Sequence, residues 1–161
     1  MELNIVDRPA VTVVGLQIRA VPMSPDIPAL WQRFVARIGE IARSLEDRVT
    51  YGVMQMPAGT ARSATDVPVS QLDYMAAVAV ADAAALPAGM SALVLPAGRY
   101  ARFSYPFSRL GEGFDEIFNR LLPASAFVQR PGPYFERYGG DFSPDRPDSP
   151  VEIWLPVAHG A

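Results

Sequence analysis

Leu16, Ile18 and Ala20 alternate with Gln17 and Arg19 across Val11 to Val21, the period-two pattern of a strand with one buried face. Gly15 inside it marks a bulge or a close approach of another backbone. The period then changes. Leu30, Trp31, Phe34, Ile38, Ile41 and Leu45 form one broad apolar stripe opposed by Arg33, Arg37, Glu40 and Arg43, which predicts a helix running to about Ser44. Ser24 with Pro25, or Asp26 shortly before Pro28, supplies its cap and first-turn proline, after Pro22. Trp31 sits in this stripe and reads either as core or as a ligand platform. Period two returns over Val49 to Met56 and over Leu72 to Val80, on either side of a Gly-, Ala-, Ser- and Thr-rich stretch, Pro57 to Pro68, that reads as a surface loop. Tyr74 shares a face with Ala76, Val78 and Val80, whose small side chains leave room for a helix or a guest.

The same succession follows Gly89. Ala92 to Leu95 and Tyr100 to Phe103 are strand pieces joined through Pro96-Ala97-Gly98, where proline and glycine imply a bulge or a sheet edge. Ser108 caps a second helix striped by Leu110, Phe114, Ile117, Phe118 and Leu121 and ended by Pro123. Strands Tyr134 to Tyr138 and Val151 to Val157 complete the chain. Strand, helix, strand, strand thus occurs twice, over about 11–80 and 91–157, with little identity between the copies. The pattern predicts a single α+β domain over residues 1–161, with an antiparallel sheet, two helices on one side and a central groove where the halves meet.

With 161 residues, 50% hydrophobic and 19% charged, the chain has enough apolar material for a sizeable core. Its net charge of -3 and scattered arginines argue against a nucleic-acid surface. The absence of cysteine removes disulfides, thiolate chemistry and most structural zinc sites. The one histidine, His159, lies in the Ala158-His159-Gly160-Ala161 tail and reads as surface. No metal and no cofactor is expected. The N-terminus lacks a basic region followed by an apolar run, and no apolar stretch reaches about 18 residues, so a cytoplasmic location without a membrane partner is expected.

No GxGxxG or Walker sequence occurs, and Gly98-Arg99-Tyr100 and Gly111-Glu112-Gly113 are too short to cradle phosphates. Triad chemistry would need His159 as its base. What remains is Pro133-Tyr134-Phe135-Glu136-Arg137-Tyr138. As a strand it presents Tyr134, Glu136 and Tyr138 on one face and Phe135 and Arg137 on the other. An ionised glutamate in apolar surroundings must be paired, hydrogen-bonded or protonated. Glu136 is therefore an exposed edge residue, a partner of an arginine such as Arg99 or Arg102, or an anchor for a cationic or polar aromatic ligand. Glu152 is a weaker acid–base candidate at the start of the last strand, which places Val151, Ile153, Leu155 and Val157 on one face and Glu152, Trp154 and Pro156 on the other.

Four segments carry a resemblance: Leu95-Pro96-Ala97-Gly98-Arg99-Tyr100-Ala101, the helix ending in Leu122-Pro123, Pro133 to Tyr138, and Val151-Glu152-Ile153-Trp154-Leu155-Pro156-Val157. In order and separation they resemble the effector-binding domain of the GyrI-like family, found at the C-terminus of AraC-type and MerR-type regulators and as free-standing proteins. Coverage is essentially the whole chain, with the motifs mostly after Ser91. The resemblance implies that Glu136 lies at the base of an aromatic-lined cleft for lipophilic cations, with Trp154 close to it. Cation–π attraction there is worth roughly 0.5 to 2 kcal/mol per contact. The side chains expected to bind ligand are Glu136, Tyr134, Tyr138, Trp154, Tyr51, Tyr74, Phe103, Tyr105 and Trp31. Where many members read His-x-Gly after the residue matching Phe103, this chain has Ser104-Tyr105-Pro106-Phe107-Ser108, so its second helix is entered differently. No DNA-binding head precedes the module in this sequence, and direct operator binding is not expected.

Three functions follow from the resemblance. The first is a free-standing small-molecule binding protein for lipophilic aromatic or cationic compounds. The second is a hydrolase of strained cyclopropane-containing natural products, with Glu136 as base and Tyr134 or Tyr138 as hydrogen-bond donor. The third is a protein-interaction module like the gyrase inhibitors of the family. One well-placed carboxylate serves binding without a second catalytic group, which favours the first. A small-molecule ligand is the expected partner; a protein partner and a homodimer stay open.

Overall fold

Alternating apolar positions and β-branched residues place nine strands along the described part of the chain. They are β1 (Asn4–Arg8), β2 (Val11–Ala20), β3 (Thr50–Gln55), β4 (Leu72–Val80), β5 (Ser91–Leu95), β6 (Gly98–Pro106), β7 (Phe127–Gln129), β8 (Tyr134–Tyr138) and β9 (Pro150–His159). Helix α1 spans Asp26–Arg37 and α2 spans Leu110–Glu116, the latter continuing into a π-helical turn, Ile117–Leu121. The computed structural model describes residues 3–21, 24–42, 44–46, 48–55 and 72–160. The loop read over 57–68, with Pro22, Arg43, Met56, Ala161 and the first two residues, lies outside the described residues. No helix among the described residues is long and apolar enough to cross a membrane.

All strand pairs are antiparallel, in the order β1-β6-β9-β8-β3-β4-β2-β5, with β7 added on β9. The order is the same from either end once β1-β2-α1-β3-β4 is matched to β5-β6-α2-β8-β9. The outer strands are exchanged: β1 pairs with β6 of the second unit, and β5 with β2 of the first. Only Pro9-Ala10 separates β1 from β2 and only Pro96-Ala97 separates β5 from β6. Two such links hold Arg8 within about 11 Å of Val11, and Leu95 as close to Gly98, although these strands belong to opposite ends of the sheet. The sheet therefore curls into a half-barrel. β1 and the repeated Pro-Ala link are features the expected repeat over 11–80 did not contain.

Curling gives the sheet two cores. One face packs Val14, Tyr74, Ala76, Val78, Ile153 and Leu155 beneath Leu30 and Phe34 of α1 and Ile117 and Leu121 after α2. The room left by Ala76 and Val78 is thus taken by α1. The other core holds Val13, Tyr51, Leu95, Tyr100, Phe135 and Trp154 and, among the described residues, contains no helical one, so strands from both ends of the sheet close over it.

Several boundaries differ from the periodicity. α1 ends at Arg37, followed by a 3-10 turn, Ile38–Glu40, and Ile41 is extended. Gly39 weakens the helix there, and the chain must leave it to tie Leu45 N–H to the Ala79 carbonyl at 2.9 Å and Ser44 to Val80. Leu45, expected on the buried stripe, is 58% exposed. Ser24 Oγ accepts from Asp26 N–H at 3.1 Å, but Ser108 makes no cap; α2 is entered through a 3-10 turn, Phe107–Arg109. No bulge occurs at Gly15, where a Cβ would collide with the backbone of Ala76. β9 extends to His159, whose ring stacks on Phe127 with centroids 4.6 Å apart.

Candidate ligand-binding site

The site is built on the seam where β3 and β8 join the two units. Strand alternation turns Tyr134, Glu136 and Tyr138 toward the helices, and the pairing of the two strands sets Glu136 opposite Gly52. A Cβ on Gly52 would lie 2.5 Å from Glu136 Oε1 and closer still to the Tyr74 hydroxyl. Glycine is what lets the carboxylate lie across β3 and reach Tyr74 on β4. A glycine inside a strand pattern is the sequence signal of such a close approach of neighbouring groups.

Glu136 is 6% exposed. Tyr74 and Tyr138 each donate a hydroxyl hydrogen bond to Oε1 at 2.8 Å, and Trp31 Nε1–H donates to the Tyr74 hydroxyl at 3.0 Å. Burial pushes the Glu136 carboxyl up to about 7, against the two phenol hydrogen bonds, which favour the ionised form. Burial and the neighbouring carboxylate hold both phenols well above their ordinary value, so they remain donors. Among the described residues no arginine pairs with Glu136. Arg99 lies 3.8 Å from Asp7 and Arg102 3.9 Å from Glu152, which removes both as its partners.

Aromatic rings surround this carboxylate. Tyr138 meets Trp31 at 5.4 Å, Phe142 at 4.8 Å and Phe107 at 6.5 Å, and Tyr134 meets Phe114 and Phe118 at 6.4 and 5.9 Å. Phe107 and Phe142 were absent from the expected set. They are brought together by the loop after β8, which bonds to the 3-10 turn before α2 through Phe107 N–H to Ser149 O at 2.8 Å and Ser108 N–H to Pro147 O at 2.9 Å. No local pattern in the sequence announces that strap.

The expected residues separate into two sets. Trp31, Tyr74, Tyr134 and Tyr138 gather around Glu136. Phe103 shares the helix face but pairs with Ile153, two strands from β8 or roughly 10 Å across the sheet. Tyr105 is turned to α2, donating to Glu116 at 3.2 Å. Tyr51 and Trp154 lie on the opposite face, because Tyr51 pairs with Arg137 and Trp154 with Phe135, not with Glu136. There Trp154 stacks on Phe135 at 6.1 Å and carries the Arg8 guanidinium 4.6 Å from its ring. Trp154 is therefore not beside Glu136 as the resemblance implied. Arg137 bridges Glu46 at 2.6 Å and Glu152 at 3.3 Å on that face, so Glu152 is committed to an ion-pair network. No group of three metal-ligating side chains occurs among the described residues.

An antiparallel half-barrel of two strand-helix-strand-strand units, with a buried carboxylate among aromatic rings at their junction, defines a fold of the effector-binding class. The chain belongs to the GyrI-like family: the family described as GyrI-like small molecule binding domain matches residues 1–158. The transcriptional regulator BrlR of Pseudomonas aeruginosa is 31% identical over 161 residues, a match that covers 98% of this chain and 56% of BrlR. The chain thus spans about half the length of that relative. Among solved structures, SAV2435 bound to tetraphenylphosphonium superposes with a TM-score of 0.71 at 20% identity, covering 98% of this chain and 94% of that one. The C-terminal domain of EcmrR gives 0.68 at 13% identity, covering 99% and 98%. At these identities the structural likeness is one of fold.

Proposed function

We propose that the chain is a small-molecule binding module for lipophilic, cationic, aromatic compounds, with Glu136 as its electrostatic anchor. The observation that carries this reading is a buried carboxylate held by two phenols and ringed by aromatics, with no arginine paired to it among the described residues. An unpaired buried charge is costly, and a ligand cation supplies the missing countercharge while the rings of Trp31, Tyr138, Phe107 and Phe142 cover its apolar surface. The structure of SAV2435 bound to tetraphenylphosphonium, a lipophilic cation, supports the same chemistry. Titration of tetraphenylphosphonium, read by tryptophan fluorescence, tests it. Saturable binding is expected, weakened by at least about tenfold in Glu136→Gln with an unchanged circular dichroism spectrum. Equal affinity in the two proteins removes Glu136 from the site.

A second reading, hydrolysis of strained cyclopropane-containing natural products with Glu136 taking a proton from water, is favoured by a carboxyl poised near neutrality. It requires product release with turnover lost in Glu136→Gln; binding of such a compound without product excludes it.

A further inference from the structure

Glu136 uses its two oxygens unequally. Tyr74 and Tyr138 both donate to Oε1, and among the described residues no hydrogen bond reaches Oε2. Two donors satisfy the lone pairs of Oε1, while Oε2 keeps both of its own. Glu136 as a whole keeps 6% of its surface exposed. The phenols are held in this arrangement. The Tyr74 oxygen accepts the Trp31 indole N–H, which leaves its own proton for Glu136, and the Tyr138 ring is wedged against Trp31 and Phe142.

We infer that this site, on its reading as a cation site, selects ligands that carry an N–H on the charged nitrogen over ligands of the same shape whose charge carries none. An N–H aimed at Oε2 makes a charge-assisted hydrogen bond of roughly 2.7–2.9 Å to the carboxylate oxygen that receives no donor from the described residues. A quaternary nitrogen or a phosphonium neutralises the charge but cuts Oε2 off from water with no donor in exchange, the costly state for a buried acceptor. Dehydration acts the other way, since an N–H cation is the more strongly hydrated of the two. The order of affinities therefore reports whether Oε2 accepts from the ligand.

Acridine orange, protonated with an N–H at its ring nitrogen, and 10-methylacridine orange share one ring system and one charge. Both are titrated by fluorescence at about pH 8 into the wild type and Glu136→Gln, where Glu136 of the wild type is largely ionised. The N–H dye is expected to bind the wild type at least about tenfold more tightly, with that ratio falling severalfold in Glu136→Gln. Equal or reversed affinities in the wild type overturn the inference and leave the cation site standing. A ratio unchanged in Glu136→Gln assigns the preference to the bulk of the methyl group and also overturns it. Failure of both dyes and of tetraphenylphosphonium to bind removes the cation site itself, and the inference with it.

Discussion

Glu136 titrates near 4.5 when unperturbed and at about 7 in the fold, because burial outweighs the hydrogen bonds from Tyr138 and Tyr74. The folded protein thus holds a proton over an interval where the unfolded chain has lost it. The contribution of this group to stability is full below about pH 4.5 and falls away as the pH rises to about 7, by roughly 3 kcal/mol in all. Denaturant unfolding of the wild type and Glu136→Gln at about pH 5 and about pH 8.5 measures it. The variant is expected to gain on the wild type by roughly that amount at the higher pH; a difference that stays constant places Glu136 at an ordinary carboxylate value. A cation acts on the same equilibrium in the opposite sense. It binds the ionised form, so tetraphenylphosphonium affinity is expected to rise through about pH 7 in the wild type and to stay flat in Glu136→Gln.

Each unit contributes the strand after its helix to the seam, so β3 and β8 meet as counterparts of one another. The same residue at both positions would set two carboxylates face to face, a destabilising arrangement. Gly52 opposite Glu136 resolves this by leaving space on one side for the side chain on the other. Gly52→Ala is expected to cost about 1–3 kcal/mol in denaturant unfolding and to weaken dye binding, because the added methyl displaces either the carboxylate or the Tyr74 hydroxyl. A variant with wild-type stability and affinity means that the carboxylate is not confined against β3. The Tyr-Glu-Tyr face itself was readable from alternation. The end of α1 was not: the apolar stripe continues through Ile41 and Leu45, and beyond Gly39 the contacts of Ser44 and Leu45 with Val80 and Ala79 on β4 pull the chain out of the helix.

The curled sheet makes β8 the wall between two cores. Glu136 belongs to the helix-covered side and Phe135 to the aromatic interior, where it meets Tyr51 at 5.6 Å, Tyr100 at 5.7 Å and Trp154 at 6.1 Å. An ion-pair network of Arg137, Glu46 and Glu152 borders that interior, with Arg8 lying over Trp154. Phe135→Ala is expected to destabilise the fold by about 3–5 kcal/mol in denaturant unfolding while the ratio of the two dye affinities stays that of the wild type. A changed ratio at preserved fold would show that the two faces of β8 do not act separately.

Period and residue type alone determined most local features of this protein: the main strands and the places of both helices, though not β1, β7 or the end of α1, which residues share a face, the doubled strand-helix-strand-strand order, and a glutamate flanked by two tyrosines. These depend on neighbours a few positions apart, where a period of 2 or 3.6 fixes direction. Tertiary structure decided which rings meet that glutamate. Trp154 is on the wrong face because the β8–β9 register sets it against Phe135, whereas Phe107 and Phe142 arrive through backbone bonds of a loop whose apolar pattern says nothing of its partners. Register and sheet closure also bring Gly52, Tyr74 and Glu136 together across three strands. Those contacts join residues up to 84 positions apart, as with Gly52 and Glu136, and their energy comes from packing that no short window of sequence contains.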